Sequence, residues 1–208
     1  MIKIENLSII FDDVYLFKDF SYTINEAEIT CICGGSGSGK TTLLKALMGF
    51  IPVHDGNIIV NGIKLNGKNS ELVRKNIGWI PQELALPINK VSDMVKLPFE
   101  LKANKNMGFD EHELMENFAS LGLEEGLYNK RVNEISGGQR QRIMLAVTAM
   151  LKKKIMILDE PTSALDSDSC NRVIDFLRRI KNEGTTIVIV SHDKILAQSC
   201  DNTIILKN

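Results

Sequence analysis

Gly34-Gly35-Ser36-Gly37-Ser38-Gly39-Lys40-Thr41-Thr42 follows an apolar run over residues 29–33 and precedes Leu43, Leu44 and Leu47 at helical spacing. A strand that breaks into a glycine-rich loop and continues as a helix is the setting a bound phosphate requires. Glycines let successive backbone N–H groups converge on phosphate oxygens, and the helix N-terminus adds about half a positive charge. Lys40 reads as the cation for the β- and γ-phosphates, and the Thr41 hydroxyl as a ligand for Mg²⁺. Gly34, Gly35, Ser36, Gly37, Ser38, Gly39 and Thr42 complete the cradle. The bland alternative is a flexible Gly/Ser turn, but a turn of that kind needs neither the strand before it nor the helix after it.

The next signal lies far downstream. Lys154-Ile155-Met156-Ile157-Leu158-Asp159-Glu160 is a buried strand pattern ending in two adjacent carboxylates. Ligand chemistry gathers at the carboxyl ends of parallel strands, so Asp159 is the expected metal partner, acting through water. Glu160 is then placed to polarise a water attacking the γ-phosphate. Between the two signals runs Ile135-Ser136-Gly137-Gly138-Gln139-Arg140-Gln141-Arg142, leading into a helical pattern of Ile143, Ala146, Val147 and Met150. It reads either as a second phosphate-binding helix start or as an ordinary serine cap. Two such starts, distant in the chain, serve one nucleotide only if they meet in space.

Around these motifs, short apolar runs alternate with helical patterns, the sign of an α/β domain with a largely parallel sheet. The first part differs. Residues 2–4, 7–11, 20–24 and 58–60 read as strands joined by tight turns, with Asp55-Gly56 and Asn61-Gly62 favouring positive φ. An antiparallel sheet beside the parallel one follows. From Glu83 to about Ile135 strand-like runs are scarce and Leu114, Met115, Phe118 and Leu121 recur at helical spacing. This predicts a helical subdomain, about residues 83–143, inserted in the α/β core of a single domain spanning 1–208. Trp79, Met144, Met150 and Met156 read as packing residues.

Composition narrows the function. The 208 residues carry a net charge of -1, without the basic excess of a protein held to nucleic-acid phosphates. No apolar run approaches the roughly 20 residues needed to cross a bilayer, and the start Met1-Ile2-Lys3-Ile4-Glu5 lacks the blocks of a secretion signal, so a cytoplasmic location is expected. Cys31 and Cys33 have no second Cys/His pair to complete a zinc site, and all four cysteines are expected as free thiols. Lys152-Lys153-Lys154 reads as a solvated strand entry.

Taken together, these motifs resemble the nucleotide-binding domain of ATP-binding cassette (ABC) transporters, and the resemblance covers essentially the whole chain. It implies a P-loop NTPase with a RecA-like core, binding ATP and Mg²⁺. The residues 135–139 are similar to the family's signature, with Ile135 where leucine is usual; Ser136, Gly137, Gly138 and Gln139 would cover a nucleotide. Gln82 in Trp79-Ile80-Pro81-Gln82-Glu83 matches the Q-loop glutamine, implying roles in catalysis and as a metal ligand beside Thr41 and Asp159. Ser163-Ala164-Leu165-Asp166 matches the D-loop, which brings Asp166 to the nucleotide, and His192 matches the switch histidine that acts with Glu160. Phe11 aligns with the adenine-stacking aromatic, and Tyr15 is a second candidate.

The resemblance further implies a head-to-tail dimer, a homodimer in the simplest case, in which ATP on one protomer is covered by Ser136–Gln139 of the other. It also implies a separate membrane permease, docked near residues 82–93, where Pro81 and Pro87 would stiffen the loop, and hence a peripheral place on the inner membrane face. A soluble ATPase of the same fold acting on nucleic acid or ribosomes is the alternative. A small P-loop kinase would leave residues 136–139 and 163–166 without purpose.

Overall fold

The computed structural model describes residues 1–11, 13–83 and 88–206. Pro87, expected to stiffen its loop, lies outside them. Two long strands open the chain, β1 (Ile2–Phe11) and β2 (Val14–Ile24), paired antiparallel. The short separate strands expected at 2–4 and 7–11 are one continuous strand. The register slips between Ile4 and Leu7, and Asn6 takes a φ of 48° there, so the break in the hydrophobic pattern is a bulge and not a turn. Asp19, with a φ of 52°, gives β2 a matching irregularity. β4 (Asp55–Val60) and the two-residue β5 (Ile63–Lys64) complete a four-stranded sheet ordered β2-β1-β4-β5.

The second sheet is parallel throughout. It contains β3 (Ile29–Gly34), β6 (Ile77–Ile80), β7 (Ile155–Asp159), β8 (Thr186–Val190) and β9 (Asn202–Leu206), in the order β6-β7-β8-β3-β9. Alternate residues of its strands feed two different cores, because successive side chains of a strand point to opposite faces. Ile32, Ile155, Ile157, Val188 and Val190 pack with helix α1 (Lys40–Leu47) and with the inward residues of the antiparallel sheet, including Ile4, Ile9 and Ile58. Met156, Leu158, Ile187 and Ile189 face the opposite core with the helices described next. The continuous Ile/Val character of β7 and β8 follows from this burial on both faces.

The short α2 (Ser70–Arg74) precedes β6. The middle of the chain is helical as expected: α3 (Val91–Glu100), α4 (Glu111–Ser120) and α5 (Gly137–Met150), with 3-10 turns at Lys102–Asn104, Glu125–Asn129 and Val132–Glu134. Helix α5 passes position 143 unbroken, because the buried run from Ile143 to Met150 packs beneath the parallel sheet and ties the helical part to the strands. Asp110 caps α4 by accepting from the amides of His112 and Glu113. Helices α6 (Ser167–Asn182) and α7 (Lys194–Ser199) flank β8 in sequence, and α6 presents Val173, Ile174, Phe176, Leu177 and Ile180 to the same core as α5.

Met144, Met150 and Met156 are buried as expected. Trp79 is not: it is 39% exposed, tilted against Phe50 with ring centroids 5.7 Å apart. Its strand β6 is the edge of the parallel sheet, with a strand neighbour, β7, on one side only among the described residues. All four cysteines are free; Cys31 and Cys170 are buried, while Cys33 and Cys200 are partly covered. In the lysine run, Lys153 is half-buried and donates to Asn104 Oδ1 at 2.6 Å, while Lys152 and Lys154 are exposed.

Candidate active site at the carboxyl ends of the parallel strands

Strand register brings the distant motifs together. Ile32 of β3 lies beside Val190 of β8, Val190 beside Asp159 of β7, and Leu158 of β7 beside Ile80 of β6. Just beyond this level stand Gly34 and His192, two residues on from Ile32 and Val190, with Glu160 next after Asp159 and Gln82 two residues after Ile80. The cavity that results, about 340 Å³, is lined by Leu16, Ser36, Gly37, Gly39, Lys40, Thr41, Thr42, Gln82, Asp159, Glu160 and Val190.

The glycine-rich loop enters α1 through Gly39, whose φ of 88° lies in the left-handed region. A Cβ there would also come within 2.9 Å of the Phe17 ring, so only glycine fits. No side chain caps the start of α1, which leaves its first-turn amides facing the cavity. Lys40 donates from Nζ to the carbonyls of Gly34 and Gly35, at 3.0 and 2.8 Å. Its charge is thereby held at the mouth of the loop.

Asp159 and Glu160 are both buried. The Thr41 hydroxyl donates to Asp159 Oδ2 at 3.2 Å, while Asp159 Oδ1 is buried with no hydrogen-bond partner. Burial pushes the Asp159 carboxyl above its ordinary range, and the adjacent Glu160 adds to that rise; the Thr41 bond opposes both. A buried carboxylate with an open oxygen, next to a threonine hydroxyl and to Gln82, is a donor set suited to a hard dication. Among the described residues, no group of three or more His, Cys, Asp or Glu is placed to hold a metal ion.

Glu160 has a φ of 52°, uncommon for a residue with a side chain. Its Oε2 lies 2.9 Å from His192 Nδ1 and accepts longer bonds of 3.4 Å from the Ser191 hydroxyl and the His192 amide. The hydrogen bond to Glu160 raises the His192 pKa, and the carboxylate charge reinforces the shift. The His192 side chain remains 72% exposed, open to a group arriving from outside.

Other expected residues lie elsewhere. Phe11 and Tyr15 are both about half exposed, at 48% and 50%, and neither lines the cavity; Leu16 does. Sequence reading passed over Leu16, since an aliphatic residue in a strand carries no chemical signal. Ser136, Gly137, Gly138, Gln139 and Asp166 are also outside that lining. Ser136 instead caps α5 in a reciprocal box: its hydroxyl accepts from the Gln139 amide at 3.1 Å, and Gln139 Oε1 accepts from the Ser136 amide at 2.9 Å. The ordinary capping role is therefore real in this chain. Gly138 packs so closely on the loop after β7 that a Cβ would lie 2.8 Å from the Ala164 carbonyl. Asp166 caps α6, accepting from the Ser169 amide and hydroxyl, both at 2.9 Å.

Comparison with known proteins places this arrangement. Residues 17–163 match the family model described as ABC transporter. The glutamate/aspartate import ATP-binding protein GltL of Escherichia coli (strain K12) is 32% identical over 208 residues, covering 99% of this chain and 86% of GltL. The methionine import ATP-binding protein MetN of Clostridium acetobutylicum is 37% identical over 201 residues, covering 92% of this chain and 61% of MetN. Among solved structures, the dimeric structure of MJ0796, a bacterial ABC transporter cassette, superposes with a TM-score of 0.84 at 29% identity, covering 100% of this chain and 94% of that one. The dimeric post-hydrolysis state of MJ0796 bound to ADP and Pi has a TM-score of 0.84 at 27% identity, covering 99% and 94%.

Proposed function

The chain belongs to the ABC transporter family, as an ATP-binding subunit that hydrolyses ATP, and on that premise we propose which residues do the work and what they work with. ATP binds with its phosphates in the loop formed by Gly34 to Thr42. The amides at the start of α1 and the Lys40 ammonium take up their charge. Thr41, Gln82 and Asp159 would hold Mg²⁺, which when bound neutralises charge on the phosphates. Glu160 accepts a hydrogen bond from the attacking water and aligns it with the γ-phosphorus. His192, held by Glu160, presents its exposed edge to the γ-phosphate. Such an in-line displacement depends mostly on positioning and charge, and loss of the water-activating group costs about 10² to 10⁴ in rate.

One observation carries the remainder. The cavity joins the phosphate loop, Asp159, Glu160 and Gln82, while Ser136–Gln139 and Asp166 of the same chain stay outside its lining. A second protomer, turned head to tail, would supply them across the nucleotide, and the cassette that superposes on this chain is dimeric in its solved structure. ATP would then close the dimer and hydrolysis would loosen it. In this reading residues 1–208 form one ATPase domain, with the helical subdomain expected over about 83–143 inserted in its α/β core. Phe11, or Tyr15, would meet adenine as nucleotide enters.

Among the described residues no helix is long and apolar enough to cross a membrane. In this reading transport runs through a separate permease, with the chain seated against it on the inner membrane face. A cavity of about 660 Å³ lined by Ile88, Asn89, Lys90, Arg131, Val132, Asn133 and Arg140 opens beside the Q-loop segment and is the natural seat for a permease loop. The relatives named above are import proteins by name, which favours a transporter over a machine acting on nucleic acid. The test is size-exclusion chromatography of Glu160→Gln with and without MgATP. Nucleotide should convert monomer to dimer; a monomer under both conditions would remove the composite site.

A further inference from the structure

The left-handed turn at Glu160 is held from outside its own strand. Its amide donates to the Val190 carbonyl at 2.8 Å, which fixes the peptide before it. The carbonyl after it accepts from Gln141 Nε2 at 2.8 Å and from the Ser163 hydroxyl at 3.1 Å. Gln141 is the fifth residue of α5 and is only 6% exposed. One turn earlier on the same helix face, Gly138 packs against the Ala164 carbonyl. Helix α5 thus grips the loop after β7 at two points, and the second grip is a buried side-chain amide on the backbone of Glu160.

We infer that Gln141 is a positioning residue for Glu160: its amide holds the carbonyl of the left-handed peptide, and so sets the direction in which the carboxylate enters the cavity. The inference rests on Glu160 being the group that aligns the attacking water. Gln141 itself touches no substrate. A non-glycine residue in the left-handed region returns readily to a more common φ when its bonds are removed. Without the Gln141 amide, the Glu160 carbonyl keeps only bonds from its own loop, and the carboxylate loses its fixed aim. Binding of ATP, governed by the loop at the start of α1, is untouched.

The experiment is steady-state ATP hydrolysis by the full chain carrying Gln141→Met, an unbranched side chain of similar length without a donor, beside the parent and Glu160→Gln. Gln141→Met should lower kcat about 10-fold, with KM for ATP within about twofold of the parent. Gln141→Asn, whose amide is too short to reach, is the second variant and should behave alike. A kcat within about twofold of the parent, while Glu160→Gln is inactive, overturns the inference and leaves the role of Glu160 standing. A KM that rises in step with the fall in kcat also overturns it. Full activity of Glu160→Gln overturns the role of Glu160, and this inference with it. If neither Gln141 variant folds, judged by thermal unfolding, Gln141 is a packing residue and the inference fails.

Discussion

Helices α1 and α5 both begin on glycine- and serine-rich turns, yet they begin in opposite ways. At α1 the chain arrives through left-handed Gly39 with no side-chain cap, and Lys40, Thr41, Asp159 and Glu160 gather around the exposed amides. At α5 the serine and glutamine of the turn satisfy each other in a capping box, and no acidic residue stands in the first turn. Both ends carry the partial positive charge of a helix N-terminus. Only the first has the cation, the hydroxyl and the carboxylates needed to complete a triphosphate site. The second has amides of Gly137 and Gly138 without helical partners, together with a serine already engaged. The difference teaches that a helix start is a necessary part of a nucleotide site and far from the whole of one.

The sharpest way to break this comparison is Lys40→Ala. An ion pair of this kind is worth roughly 4 kcal/mol at an effective dielectric near 20, so ATP affinity should fall by at least about a hundredfold. Isothermal titration calorimetry reads that directly, and an unchanged Kd would contradict the role given to the α1 end. Ser136→Ala tests the other end with a smaller expected effect. Losing the cap should cost about 1 kcal/mol in denaturant unfolding, while ATP affinity of the single chain stays as it was. A matching loss of affinity would mean that the two ends are not separate within one protomer.

The smallest effect concerns His192. Its pKa is raised by Glu160, so the protonated pair stabilises the fold below the ordinary histidine value near 6.5 and that contribution fades as pH rises through the elevated one. Glu160→Gln should move the His192 titration, followed by NMR of the ring protons, back down toward 6.5. A titration that does not move would dissociate the two side chains. With His192 mostly exposed, no large change in overall stability accompanies the shift.

The phosphate loop was readable because its chemistry is local: glycines, lysine and threonine must be neighbours in the chain for consecutive amides to point one way. Asp159 and Glu160 were readable for a similar reason, as the end of an apolar strand. Asn6 was not, since a bulge and a turn interrupt the alternation of a strand in the same manner, and only pairing with β2 distinguishes them. Trp79 misled because an aromatic residue in a strand reads as core until one knows that the strand is an edge. Gln141 gave no signal at all, being one amide in a polar run of Gln139, Arg140, Gln141 and Arg142, and its contact spans 19 positions to the Glu160 carbonyl.

The amino-acid order alone determined that this chain has a phosphate-cradling loop, an acidic strand end, a parallel sheet and a mostly helical middle, since each is written in neighbouring residues or in their period. What tertiary structure decided is which of these share a cavity. Level registers of β3, β8, β7 and β6 carry Lys40, Asp159, Glu160 and Gln82 to one place and leave Ser136 outside it. Register is settled by the packing of both sheet faces at once, and no single stretch of sequence contains that information.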